Sequence, residues 1–359
     1  METVRSSSLA ILIGSAAAVI MLAGLRSASA IVGPIVLALI LTIAVSPLRG
    51  WLDRRGAPFW VCVAVPLAVL IALLLGLGAA LAVSVAQLAA LLPDYTDEFN
   101  QLVDSFAKTL TRYGIDQGKV GNAVSRLDPG ELFTFVQGFL AGLLNASSAI
   151  LLIVLMLFGM CIDATGTVRQ LERLAGDRPE LVAALRGFAR DTCRYLVVST
   201  IFGFVVAVFD TIVLYAFQVP LPLLWGLLAF LTNYIPNVGF VIGLAPPAVL
   251  GLLTGGVGTM IWIIVAYSAI NFVLQSLIQP KFLGDAVGLS FTLVSISLIL
   301  WAWVLGPLGA ILAVPLSTLA RALLIDLDPS KHWLTGLLTS AVDQPAAREP
   351  ARRRPGPKE

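Results

Sequence analysis

Long apolar runs separated by short polar ones dominate the chain. A helix rises about 1.5 Å per residue and a bilayer's hydrocarbon core is about 30 Å thick, so about 20 apolar residues make one crossing. Runs of that kind predict spans at 9–25, 31–47, 59–83, 132–162 (starting near Gly138) and 195–217. No Asp, Glu, Lys or Arg falls between Arg55 and Asp94, so the third helix is expected to project beyond the lipid. The expected fold is all-α: a polytopic helical membrane protein with about eight membrane segments, counting two broken or re-entrant helix hairpins.

The polar stretches order the rest. Residues 1–92 are read as three membrane helices, 93–137 as an extracytoplasmic amphipathic insert, 138–162 as a fourth span, 163–194 as cytoplasmic interfacial helices, 195–325 as a membrane core, and 326–359 as a largely disordered cytoplasmic tail. In the insert, Phe99, Leu102, Val103, Phe106, Leu110 and Tyr113 recur at three- and four-residue steps on one helix face. Arg169, Arg173, Arg178, Arg186, Arg190 and Arg194, with Arg49, Arg54 and Arg55 of the earlier short loop, belong on the cytoplasmic side by the positive-inside tendency. That places the acidic insert on the other face and both termini in the cytoplasm. Val168, Leu171, Leu174, Leu181, Leu185 and Phe188 form apolar stripes read as surface helices that contact the bundle, with a membrane sensor or partner site as the alternative.

Composition narrows the class. The 359 residues are 58% hydrophobic and 12% charged, against roughly 25% charged in soluble domains. Arg5, the run 9–25 and Ala28-Ser29-Ala30 imitate a signal peptide, but a second apolar run follows at once, which favours a helical hairpin. One histidine, His332, and the scattered Cys62, Cys161 and Cys193 form no metal-binding or disulfide pattern, and no cofactor is implied. The net charge of +2 and the absence of a basic, aromatic-laced stripe argue against nucleic acid. No nucleophile–base pair, carboxylate dyad or phosphate-binding glycine loop accompanies the spans, so an enzyme is the weakest reading.

Candidate chemistry concentrates in 195–325. Asn233-Tyr234-Ile235-Pro236-Asn237-Val238-Gly239 and Leu305-Gly306-Pro307-Leu308-Gly309 each interrupt a long apolar run. Pro removes an amide donor and Gly permits positive φ, so both places are candidate helix breaks with backbone free to face a ligand. Unwound backbone is tolerated at membrane depth only where protein or a wet cavity satisfies it. Runs 223–253 and 289–319 would each reach about 45 Å as helix. Each is therefore a tilted, broken helix or a re-entrant hairpin, and the short halves favour hairpins. The two breaks are expected to meet in one shielded, hydrated pocket.

Between them Asn271 and Gln275 share a helix face that ends at Gln279-Pro280-Lys281, either lining a pathway or joining helices by hydrogen bonds. Asp210 is an acid inside a predicted span, where charge costs at least roughly 2.5–3.5 kcal/mol. It is read as a proton- or cation-coupling group or as a neutral structural acid. Lys281 and Asp285 are read as helix-end anchors, and Pro66 and Gly76 as packing or kink positions. The candidate pathway residues are Asp210, Asn233, Tyr234, Pro236, Asn237, Gly239, Asn271, Gln275, Gln279, Gly306, Pro307 and Gly309.

The stretch Leu221-Pro222-Leu223-Leu224-Trp225-Gly226-Leu227-Leu228-Ala229-Phe230, then Tyr234-Ile235-Pro236-Asn237-Val238-Gly239, Gln279-Pro280-Lys281-Phe282-Leu283-Gly284 and Gly306-Pro307-Leu308-Gly309-Ala310-Ile311-Leu312-Ala313-Val314-Pro315-Leu316, resembles the autoinducer-2 exporter family of bacterial permeases. The resemblance is strongest over 221–324 and the remaining layout is also similar. It implies an inner-membrane transporter, homo-oligomeric, with members proposed to export autoinducer-2 or to exchange sodium for protons. It supplies no substrate ligand residue by residue, and Asp210 matches no fixed acid of the family. The leading expectation is a secondary transporter of a small solute with alternating access around the two breaks. A sodium/proton antiporter is the second reading, and a non-transporting membrane scaffold or regulator the third.

Overall fold

The computed structural model describes residues 2–91, 147–236, 238–283 and 290–327. The expected insert at 93–137, the start of the 138–162 span, Asn237 and nearly all of the 326–359 tail lie outside the described residues. Among these, the regular elements are all helical. Helix α1 is Glu2–Ser27; α2, Ser29–Ala44, runs on through Val45 into α3, Ser46–Arg54; α4 is Phe59–Leu91; α5 is Ser147–Asp177; and α6 is Pro179–Ala216. Then come α7, Pro222–Thr232, and α8, Gly239–Asn271, which passes through a π-helical turn, Phe272–Ile278, into α9, Gln279–Leu283. The chain closes with α10, Phe291–Leu305, α11, Pro307–Ile311, α12, Ala313–Arg321, and a second π turn, Ala322–Asp326.

Among the described residues four stretches are long and apolar enough to cross a membrane by length and composition, Ser29–Arg54, Phe59–Leu91, Pro179–Ala216 and Gly239–Leu283, the last interrupted at Gly256. A fifth is gained if Ile150–Ala164 and Gly166–Asp177, which meet at 50°, make one broken span. The eight segments expected are not confirmed among the described residues, where Leu12–Ser27, Pro222–Thr232 and Thr292–Leu305 are apolar but shorter. In the Ser29–Arg54, Phe59–Leu91 and Gly239–Leu283 stretches only 22% of the most apolar window is buried. Ile20, Trp60, Phe204, Trp262 and Ile299 are exposed on helix surfaces. Apolar surface on this scale needs lipid or protein cover, and helices are what a bilayer admits because they satisfy their own backbone.

The basic segment is continuous with the helices on either side of it. Residues 166–177 are the bent arm of α5, and 179–194 are the first turns of α6, continuous with its apolar part. Pro179 at the first helical position starts α6 afresh after Arg178 (φ −138°), a place where its missing N–H costs nothing. Ala184, Phe188, Tyr195 and Leu196 of α6 are buried with Ile40, Val304, Leu305, Leu312, Val314 and Leu316, so these turns contact the bundle.

Two helical hairpins lie against this frame. In the first, α7 runs antiparallel to α6: Gly226 abuts Thr211, and further on Asn233 abuts Gly203. The first arm of α8 then runs antiparallel to α7, with Gly239 against Thr232 and Gly243 against Ala229. The chain reverses again at Gly256, whose φ of 76° and ψ of −174° lie outside the helical region. Gly251 and Ile263 are in contact across this turn, although in an unbroken helix they would stand about 18 Å apart. Thus α8 has two antiparallel arms, 239–255 and 257–271. The second arm continues to α9, where the Arg194 guanidinium donates two hydrogen bonds to the Phe282 carbonyl, at 3.0 and 2.9 Å.

The second hairpin pairs α10 with α12 around Gly306 (φ 67°), and the Trp301 indole N–H donates to Ser317 Oγ at 3.0 Å. Its tip leans on α2, with Leu308 3.4 Å from where a Cβ on Gly33 would be. Its end returns to the basic region, where Arg321 lies 3.6 Å from Asp191 of α6. The first hairpin therefore opens toward the Ala216 end of α6 and the second toward the Arg194 end. Both interrupted runs are helical hairpins and not bent single helices.

Candidate functional site

Ser199, Gly203, Val206 and Asp210 follow one another at four-, three- and four-residue steps, which puts them on one face of α6. The tip of the first hairpin docks on that face. Gly203 leaves the room: a Cβ there would lie 2.8 Å from Asn233 Nδ2, and with hydrogen in its place Asn233 reaches past to donate to the Ser199 carbonyl at 2.9 Å. From the second arm of α8, Gln275 Nε2 donates to Asn233 Oδ1 at 2.9 Å and to Asn271 Oδ1 at 2.6 Å. Asn271 Nδ2 in turn donates to the Tyr267 carbonyl at 2.9 Å. These amides tie α6, the hairpin tip and the second arm of α8 into one chain of hydrogen bonds. Gln275 belongs to the π-helical turn, an irregularity that recurs at functional positions.

Beside this chain lies a cavity of about 10 Å³, room for about a single water. Val206, Asp210, Ala229, Thr232, Asn233, Gly239, Phe240, Gly243, Tyr267, Asn271 and Gln275 line it. Asp210 and Tyr267 are each 1% exposed, and the Asp210 Oδ1 and Tyr267 hydroxyl oxygen have no hydrogen-bond partner among the described residues. The Thr232 hydroxyl is spent on the carbonyls of Leu228 and Ala229, at 2.9 and 3.3 Å. The ion pairs among the described residues join Arg190, Asp191, Arg321 and Asp326 at the far end of α6, and none reaches Asp210.

Of the residues singled out from sequence, Asp210, Asn233, Gly239, Asn271 and Gln275 come together here. Tyr234 is adjacent but turned away. Its hydroxyl is 2.7 Å from Thr200 Oγ1, and its carbonyl accepts a hydrogen bond from the Tyr195 hydroxyl at 3.3 Å. Pro236 is in the hairpin turn and Gln279 opens α9, neither lining the cavity, and Asn237 lies outside the described residues.

Gly306, Pro307 and Gly309 do not line this cavity. They shape the tip of the second hairpin, which packs on α2 and against Trp301, because α10 pairs with α12 and with α1 and α2. At the first break most of the described amides are already paired. The amides of Asn233, Ile235, Val238 and Gly239 donate to the carbonyls of Ala229, Thr232, Pro236 and Ile235, so the polar lining comes from side chains. Thr232, Gly243 and Gly203 are additions that sequence reading did not single out. Tyr267 stands four residues before Asn271, and that spacing was the available signal.

A bundle of outward-apolar helices that folds an amide-lined cavity behind a buried acid is the architecture of a membrane transporter. The relatives agree on the class. The chain belongs to the family described as AI-2E family transporter, whose profile matches residues 10–327. It is 30% identical over 303 residues to the AI-2 transport protein TqsA of Escherichia coli (strain K12), covering 84% of this chain and 88% of that protein. Over 312 residues it is 29% identical to YhhT of the same organism, covering 87% and 89%. A Haemophilus influenzae protein named for transport is 30% identical over 338 residues, with 92% and 97% covered.

Proposed function

We propose that the chain is a secondary transporter of a small polar or amphiphilic solute in a bacterial inner membrane, with both termini cytoplasmic, and that the first hairpin is its moving gate. The observation that carries this is the hydrogen-bond chain Ser199–Asn233–Gln275–Asn271, which closes a polar seam between three helical segments where lipid offers no competing partner. Helix breaks around a buried polar seam are the usual setting for alternating access. The described structure is then the closed state, since the cavity admits about one water and no organic solute. The hairpins are read as re-entrant from opposite sides: α10 is 15 residues long, about 22 Å, against about 30 Å of hydrocarbon. Without a nucleotide-binding motif, the driving force is an ion gradient or a separate subunit.

The substrate named for the TqsA relative, AI-2, is the first solute to test. The decisive assay is flux in proteoliposomes of the whole chain under imposed sodium, proton and solute gradients. Solute accumulation with the gradient supports the proposal; sodium–proton exchange without solute movement selects the antiporter reading, which the unpartnered Asp210 favours; no flux of any kind leaves a scaffold. A homo-oligomer is expected from the family resemblance, and the apolar helix surface exposed on the single chain is open to lipid or to further copies.

A further inference from the structure

We infer that Asp210 and Tyr267 form a proton-binding site, in which the Asp210 carboxyl carries the proton and one water in the cavity bridges it to the Tyr267 hydroxyl. Both side chains are 1% exposed, both line the same small cavity, and neither has a hydrogen-bond partner among the described residues. Leaving buried polar atoms unpaired costs free energy, so a ligand able to donate and accept is called for, and the space is that of a single water.

The charge state follows from what surrounds the acid. Facing the cavity are Val206 from α6, Ala229, Thr232 and Asn233 from α7 and the tip, Gly239, Phe240 and Gly243 from the first arm of α8, and Tyr267, Asn271 and Gln275 from the second. Tyr267 is the one other titratable group in that set, and no cation belongs to it. An ionised carboxylate without a counter-charge is the costliest occupant of such a place, and a carboxylic acid removes that cost with one bound proton.

A metal cation in the proton's place fits less well. Hard cations are held by shells of about six oxygens. Here the amide oxygens of Asn233 and Asn271 each already hold a hydrogen bond from Gln275, and Asp210 is the one carboxylate in the lining. Exchange requires water to reach Asp210, and the path opens when α7 and the first arm of α8 separate from α6. The proton then passes to that water and leaves a carboxylate. The site thereby makes the proton the coupling ion of the proposed transporter; that consequence rests on the transport reading, whereas the binding itself does not.

The test is infrared spectroscopy of the full chain in lipid, with aspartate side chains labelled with carbon-13, compared at neutral pH with Asp210→Asn and Tyr267→Phe. The wild type should show a protonated-carboxyl stretch that Asp210→Asn lacks and that Tyr267→Phe shifts without abolishing. The band should be the same in sodium and choline salts. Absence of any band difference between the wild type and Asp210→Asn would overturn the inference, as would loss of the band on adding sodium. A band of the expected behaviour with no proteoliposome flux would retain the site and remove the transporter; proton-independent flux without the band would do the reverse.

Discussion

Gly203 of α6 and Asn233 at the hairpin tip are fitted to each other: a Cβ on the glycine would stand 2.8 Å from Asn233 Nδ2 and 3.2 Å from its Cβ. The glycine is there for the neighbour's side chain and not for its own backbone. Gly203→Ala should push the amide off the Ser199 carbonyl, and Gly203→Val should do so further. We expect helical content to persist, solute flux to fall in that order, and stability to drop by roughly 1–3 kcal/mol, the usual range for overpacking. Thermal unfolding in detergent and proteoliposome flux measure both effects; full activity in Gly203→Val would show that the tip need not seat on α6.

Gln275 donates to two amides at once, and its loss leaves both acceptors in an apolar surround. Interhelical hydrogen bonds in membrane proteins are worth about 0.6 kcal/mol on average and up to about 1.7 kcal/mol. Gln275→Leu should therefore cost about 1–3 kcal/mol, and the combination with Asn233→Ala should cost less than the sum of the two single changes, because they share a bond. Additive losses in a double-mutant cycle would mean that the two amides act separately.

Glycines that look alike in sequence separate by what surrounds them. Nothing lies within 4 Å of a Cβ built on Gly76 of α4, whereas one on Gly309 would meet the Trp301 carbonyl oxygen at 1.9 Å. Gly76→Ala should leave the protein as stable or raise stability by about 0.5–1 kcal/mol through helix propensity. Gly309→Ala must move backbone and should destabilise, with reduced yield of folded protein. Size-exclusion profiles and unfolding midpoints of the pair give the comparison; equal behaviour would contradict the close packing of α10 on the turn that follows it.

How far sequence alone reaches is visible in these residues. Asp210, Asn233, Asn271 and Gln275 stood out because polar side chains in apolar runs are costly and must be used, and four of the cavity's polar lining groups were legible that way. Thr232 carried no such signal, since its hydroxyl bonds its own helix backbone, and Tyr267 offered only its spacing from Asn271. The partner of each break was not legible either. Which helix lies against Gly306 depends on contacts with α2 far along the chain, and local pattern says nothing about them. Gly76 read as a packing position and has open space around it. Of the basic segment's apolar stripes Phe188 is buried in the bundle, whereas Val168 and Leu174 are exposed, and the continuity of 179–194 with α6 was not legible from charge.

The reversal at Gly256 is the feature of the fold most open to direct test. Thr254-Gly255-Gly256-Val257-Gly258 is glycine-dense, yet the apolar run around it passes for a single long helix by composition. If the chain were straight there, positions 251 and 263 would lie about 18 Å apart, far beyond the Cα separation of roughly 4.4–6.8 Å that a disulfide spans. In the folded hairpin they touch, and replacing Gly251 and Ile263 together by cysteine removes the isoleucine bulk that would otherwise collide. In a background with Cys62, Cys161 and Cys193 changed to serine, the Gly251→Cys, Ile263→Cys chain should form an intramolecular disulfide under mild oxidation. A Gly251→Cys, Trp262→Cys pair should not, because Trp262 is exposed on the other side of its helix while Ile263 is buried. Oxidation can be followed by the loss of both thiols to a maleimide label. If the first pair stays fully labelled in folded protein, the two arms of α8 are not antiparallel neighbours, and the cavity that Tyr267, Asn271 and Gln275 share with the hairpin tip could not form.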